Sequence, residues 1–254
     1  MQSLAGIAGR VVGISSQDVY RAYDVLWGRD PCPPQPMPLS EDADLRTRFF
    51  PDAPSSEKIL AERMLLGRPD LPGTVLRYPM VYGPRDGGRI ADPLKRMDDG
   101  RDAILLEKRQ AGWCWSRGYA ENVAHATVLA VLDDGAAGRV YNVGEPNALS
   151  LEEWIQAICR AAGWNGEVIC LPADQLPAHL LSDYNWEQNW IVDTSRIRTE
   201  LAYSETISRE EALRRTVDWW RQASPDEVSE PFTPKTSPDD YAAERRGALR
   251  LPRT

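Results

Sequence analysis

Residues 10–15, Arg-Val-Val-Gly-Ile-Ser, form a short run of mainly apolar, β-branched side chains with no polar alternation. A strand covered on both faces reads this way. A second run of the same character, Gly73-Thr-Val-Leu-Arg-Tyr78, follows later. Between them a helix is predicted. Ser55 or Ser56 can cap it, Ile59, Leu60, Met64 and Leu65 line one face, and Gly67 and Pro69 end it. Strand, helix of about a dozen residues, strand is a βαβ unit, which implies a parallel sheet with a right-handed crossover.

The rest of the chain fills in around that unit. Pro31, Pro33, Pro34, Pro36, Pro38, Pro51 and Pro54 make residues 24–55 mostly irregular, with room for a short helix over 41–50. Helices are expected over 91–99, stopped by Gly100, over 122–132, and after Thr194 with Ile197 and Leu201 inward. Short strands are expected over 103–106, 113–115, 139–143 and 167–171. Two capping boxes, Ser150-Leu-Glu-Glu153 and Ser208-Arg-Glu-Glu211, open two more helices, the first ending at Gly163. Beyond Ser224 the chain is rich in proline and charge, so residues 1–223 are read as the folded domain and 224–254 as a mostly disordered tail.

Composition narrows the function. The formal net charge is -8, which argues against a nucleic-acid partner. No run of eighteen apolar residues exists and the N-terminus lacks a signal-peptide pattern, so a cytoplasmic protein with no membrane span is expected. Cys32, Cys114, Cys159 and Cys170 lack metal-ligand spacing and are read as free thiols, with no metal site.

Five segments then occur in a telling order: Ser15-Ser-Gln-Asp-Val-Tyr20, Glu57-Lys-Ile-Leu-Ala-Glu62, Leu76-Arg-Tyr-Pro-Met-Val-Tyr-Gly-Pro84, Arg117-Gly-Tyr-Ala-Glu-Asn-Val-Ala124 and Tyr141-Asn-Val-Gly144. With them the chain resembles, over about residues 8–222, the extended short-chain dehydrogenase/reductase superfamily in its NAD-dependent epimerase/dehydratase branch. The resemblance implies an α/β fold: the C-terminal part of a Rossmann-type parallel sheet, with a small mixed α/β substrate lobe built from segments after residue 84. It also implies NAD or NADP as cofactor. The family's glycine-rich pyrophosphate turn has no counterpart here, residues 10–15 match the family's fifth strand, and four strands with their helices are expected to be missing before it. Weak dinucleotide binding by this chain follows.

The family's chemistry uses a Ser or Thr, a Tyr, and a Lys four residues after the Tyr. On the resemblance Ser16 takes the hydroxyl position, which orients the substrate oxygen, and Lys58 takes the lysine position, which bonds the nicotinamide ribose. The tyrosine position holds Pro54. Tyr20 and Tyr23 lie near in sequence but at neither position. Pro79 to Tyr82 would face the nicotinamide, and Arg117, in Arg-x-Tyr, the substrate diphosphate. A second diphosphate arginine belongs near 183–192, where no basic residue stands.

Each residue also has a plainer reading. Ser16 bonds its own turn, Lys58 is a solvated first-turn lysine, Arg117 makes a surface ion pair, and Tyr82 sits in the core. Trp113, Trp115, Trp186 and Trp190 form a substrate wall or pack as core. His125 is a boundary histidine, Asn122 an N-cap, and Asp193 with Arg196 and Arg198 local helix electrostatics.

Two functions remain open: an NAD(P)-dependent oxidoreductase or isomerase acting on a sugar or related small hydroxylated substrate, impaired in this form, or a non-catalytic truncated member serving as a binding or assembly partner. In both, an unpaired apolar edge at 10–15 calls for a cover, from another segment of this chain or from another chain, and without one the protein is expected to self-associate or to be poorly soluble.

Overall fold

The computed structural model describes residues 7–47, 56–86, 88–224, 227 and 236–248. In chain order its elements are β1 (Val11–Ser16), α1 (Arg21–Leu26), α2 (Ser56–Leu66), β2 (Gly73–Tyr78), β3 (Met80–Tyr82), α3 (Ala91–Asp98), β4 (Ala103–Glu107), α4 (Lys108–Ala111) and β5 (Arg117–Tyr119). Then follow α5 (Ala120–Leu132), β6 (Val140–Asn142), α6 (Leu151–Ala162), β7 (Glu167–Leu171), α7 (Ser195–Glu200), α8 (Arg209–Gln222) and α9 (Pro238–Ala248). They group into two compact units. One lies within Met1–Val81, Trp115–Ala148 and Gln188–Ile207, the other within Tyr82–Cys114, Leu149–Glu187 and Ser208–Thr254.

The first unit carries the βαβ pattern. β1 and β2 run parallel, from Val11 opposite Gly73 to Ser16 opposite Tyr78, and β6 adds to the far side of β2. α2 lies close on one sheet face because two glycines make room for Leu65. A Cβ on Gly13 would sit 2.7 Å from Leu65 Cδ2, and one on Gly73 would collide with the same side chain. The other face packs on α5 and α7 through Leu76, Val123, Ala126, Tyr141 and Ile197, with Val12 against them.

Three expectations are corrected here. Residues 10–15 are not covered on both faces: Ile14 is 49 % exposed, and no strand pairs with the outer edge of β1 among the described residues. On α2, Ile59, Glu62 and Leu65 face the sheet while Leu60, Met64 and Leu66 are exposed. α5 likewise exposes Val128, Val131 and Leu132. Thus both helices flanking the sheet carry solvent-facing apolar rows. Residues 41–47 form turns and extended chain rather than the start of a helix. The serine cap of α2 at residue 55 lies outside the described residues.

The second unit holds a parallel pair, β4 with β7, in register from Ala103 opposite Glu167 to Glu107 opposite Leu171. α6 opens with the Ser150–Glu153 capping box, both halves formed, and ends at Gly163 with φ 65°. α8 forms half its box: Ser208 Oγ accepts from Glu211 N–H at 3.3 Å, while the Glu211 carboxylate is taken by Arg214 and Arg215. The strand expected over 113–115 reduces to single bridges, Cys114 to Ser150 and Trp115 to Trp190.

The tail expectation is corrected over 238–248. Helix α9 forms there, Ser237 Oγ caps Asp240 N–H at 3.2 Å, and Glu244, 2 % exposed, accepts from Arg96 Nη2 at 3.1 Å. A charged helix that docks through ion pairs carries no apolar stripe, so its composition resembles that of a disordered segment. No described helix is long and apolar enough to cross a membrane.

Candidate functional site at the strand ends

In a parallel α/β sheet, ligands meet the C-terminal ends of the strands. Here those ends are Ser16, Tyr78 and Asn142. Beside them lies a buried polar network that joins Tyr20 after β1, Arg77 of β2 and Asn142 of β6. The Tyr20 hydroxyl donates to Asn142 Oδ1 at 2.6 Å and accepts from Arg77 Nη1 at 2.9 Å. Arg77 also forks onto Glu62, Nε to Oε1 at 3.1 Å and Nη2 to Oε2 at 2.9 Å, and reaches the Glu41 carbonyl at 2.8 Å. Asn142 donates from its backbone to Glu41 Oε1 at 2.9 Å and from Nδ2 to the carbonyls of Leu39 and Asp193. All five side chains are buried.

This network was not singled out by the sequence reading. The signal was an arginine inside the apolar run of β2, since a buried guanidinium requires a carboxylate partner. Burial pushes the Tyr20 phenol up to about 12, against the opposing pull of Arg77. Tyr20 is thus a structural hydrogen-bond relay and not a phenolate. The sign for stability follows. The folded chain holds this proton more tightly than the unfolded chain, so the contribution is complete below about pH 10 and is lost as pH rises towards 12, by about 2–3 kcal/mol. Urea unfolding at pH 8, 10 and 11 should show that loss. In Tyr20→Phe the alkaline loss should shrink to what Tyr78, Tyr141, Tyr203 and Tyr241 contribute, whose phenols burial also raises.

Ser16 ends β1 with its Oγ accepting from Asp18 N–H at 3.2 Å, so the hydroxyl bonds its own turn while its proton stays available to donate. Lys58 stands in the first turn of α2, half-buried, and forms no ion pair among the described residues. Both belong to the first unit. Pro54 lies outside the described residues. Pro79 is buried, and a Cβ on Gly118 would meet its ring at 3.0 Å. Tyr82 belongs to the second unit, where its buried ring meets Trp154 edge-on at 4.9 Å.

Arg117 is 3 % exposed, which corrects the plain reading of a surface ion pair. Its Nη1 donates to the Trp115 carbonyl at 3.1 Å and its guanidinium lies 5.8 Å from the Trp115 ring. The tryptophans divide between the units. Trp115 stacks on Trp190 at 5.3 Å, with Tyr23 beyond at 5.1 Å from Trp190, while Trp113 meets Trp186 at 5.4 Å in the second unit.

Asn122 is not an N-cap but a staple. Its Oδ1 accepts from the backbone N–H groups of Thr206 and Ile207, and its Nδ2 donates to the Ile207 carbonyl at 2.8 Å. Arg198 reaches beyond its helix, to Glu205 at 2.5 Å and to the Gly144 carbonyl at 2.9 Å. His125 lies half-buried at 6.2 Å from the Tyr203 ring. Among the described residues no cluster of His, Cys, Asp and Glu could hold a metal ion.

The comparisons with known proteins agree with this geometry. The model of the NAD dependent epimerase/dehydratase family matches residues 5–144. The chain belongs to that family. Among curated relatives, the UDP-N-acetyl-alpha-D-glucosaminuronate decarboxylase of Bacillus cytotoxicus is 25% identical over 176 residues, 66% of this chain and 53% of its own. The dTDP-glucose 4,6-dehydratase of Streptomyces niveus is 31% identical over 110 residues, 40% of this chain and 30% of its own. The chain therefore spans about half, or less, of the curated relatives it matches.

The Rossmann-type fold is shared with solved structures. UDP-glucuronic acid 4-epimerase from Bacillus cereus, in complex with UDP-glucuronic acid and NAD, superposes with TM-score 0.60 at 20% identity, over 87% of this chain and 64% of that one. RMD from Pseudomonas aeruginosa, complexed with NADPH, gives 0.63 at 18%, over 86% and 68%.

Proposed function

We propose that the chain forms the substrate-side part of an NAD(P)-dependent oxidoreductase or isomerase acting on a hydroxylated sugar of the nucleotide-sugar class, in the cytoplasm. The observation that carries this reading is the placement of Ser16 and Lys58 in one βαβ unit, at the strand end and the following helix start. Ser16 can donate its free proton to a substrate oxygen, and Lys58 can place its ammonium against hydroxyl groups of a bound ligand. Arg117 and the strand exit at Pro79, both in the first unit, are the further candidates for holding substrate and cofactor.

The residues present do not fit a whole dinucleotide. Lys58 suits the ribose end, but the turn after β3, described at residues 83–86 and 88–89, cannot cradle a pyrophosphate. Its N–H groups at Gly83, Gly88 and Arg89 already bond the Asp86 carboxylate at 3.2, 2.8 and 3.1 Å. No step is therefore routed through the cofactor. Calorimetric titration of the 254-residue chain with NAD is expected to show no micromolar binding. A micromolar Kd, lost in Lys58→Ala, would contradict this. UDP-glucose should raise the melting temperature of the chain, and less so in Ser16→Ala; no shift with any nucleotide sugar would sink the substrate reading.

The second reading, a non-catalytic binding or assembly partner, draws support from the solvent-facing apolar rows of α2 and α5 beside the open edge of β1.

A further inference from the structure

Ser15 and Gln17 flank Ser16, and the roles described so far use neither. Both are buried, Gln17 to 1 % exposure. Ser15 Oγ and both amide atoms of Gln17, Oε1 and Nε2, have no hydrogen-bond partner among the described residues. The contrast with the adjoining network is sharp, since Tyr20, Arg77, Glu62 and Asn142 satisfy one another a few residues away. A carboxamide sealed from water without a partner costs free energy, and a fold that keeps one needs a reason.

Position supplies the reason. Ser15 shares with Gly13 the strand face on which α2 lies, by the two-residue alternation of β1. The turn Gln17–Val19 packs on α2, the helix that begins with Lys58 in its first turn. The unpaired groups thus lie beside Ser16, at the strand end where a parallel sheet places its ligand.

We propose that Gln17 is a ligand-reading residue. On binding, its carboxamide turns out of the sealed rotamer and bonds two adjacent oxygens of a polyhydroxylated ring, donating through Nε2 and accepting through Oε1, with Ser15 Oγ beside it. This rests on the sugar-substrate reading above and names the part of the substrate that is read. A carboxamide offers one donor and one acceptor side by side, which matches vicinal hydroxyls, whereas a carboxylate would oppose Oε1. Turning the flexible side chain costs a change of rotamer. It ends the unpaired state, so the bound form gains two hydrogen bonds that the resting form lacks.

The test uses the full chain and Gln17→Met, of similar length but without the amide. Thermal unfolding is followed alone, with UDP, and with UDP-glucose. The melting temperature of unliganded Gln17→Met should rise above that of the parent, because an unpaired amide leaves the interior. The parent should bind UDP-glucose about tenfold more tightly than UDP, a difference of about 1.4 kcal/mol. In Gln17→Met that preference should vanish while UDP affinity holds. A lower melting temperature, or a variant that no longer folds, would mean that the amide has a structural partner and would overturn the proposal. So would a tenfold preference kept in both proteins, which leaves the sugar reading intact. Equal affinity for UDP and UDP-glucose in the parent would sink the sugar reading, and this inference with it.

Discussion

Cutting Glu62 back to alanine is expected to destabilise the chain by about 3–5 kcal/mol, the usual loss when one half of a buried ion pair is removed. Arg77 would keep its charge beneath α2 with two neutral hydrogen-bond partners left, the Tyr20 hydroxyl at 2.9 Å and the Glu41 carbonyl at 2.8 Å. A domain of this size holds roughly 5–15 kcal/mol in total, so the variant should sit near the edge of folding. The double variant Glu62→Ala with Arg77→Met removes both charges and should recover most of the loss. Urea unfolding followed by tryptophan fluorescence checks both. A loss below about 1 kcal/mol in the single variant would show that water reaches Arg77, as at a surface pair.

The second large effect is self-association of the isolated chain. β1 offers unpaired backbone donors and acceptors along its outer edge, and Ile14, Val128, Val131 and Leu132 expose apolar surface on the α5 side, with Leu60 and Met64 on the α2 side. An edge of that kind attracts another strand. Light scattering coupled to size-exclusion chromatography should report a mass above the 28.5 kDa of one chain. Ile14→Lys combined with Val131→Lys should return the monomer, since a lysine at an edge opposes pairing. A monodisperse parent monomer at high concentration would count against the expectation.

Much of the fold was legible because its signals are local. β2 and β7 fall at the expected residues, and α6 carries its cap and its glycine stop in its own sequence. What was not legible depended on partners distant along the chain. Leu60 and Met64 look like core residues on a helical wheel, and the pattern does not say that none of the described residues covers them. α9 is held by Arg96, 148 residues from Glu244, so no apolar period announces it. At the site, Ser16 and Lys58 were readable from motifs. The Tyr20–Arg77–Asn142 relay was not, because it joins residues 57 and 122 positions apart.

Leu65 carries one more consequence. Its side chain fills the space that a Cβ on Gly13 or Gly73 would need, so the sheet–helix spacing is fixed at that point by two missing methyl groups. Lys58 stands seven residues earlier on the same rigid rod. An alanine at Gly73 would therefore push the Leu65 end of the rod off the sheet, and a rigid rod passes that shift on to the lysine without a change in any residue near it. The site can be tuned from its back, and two glycines that no motif marks act as its adjusting screws.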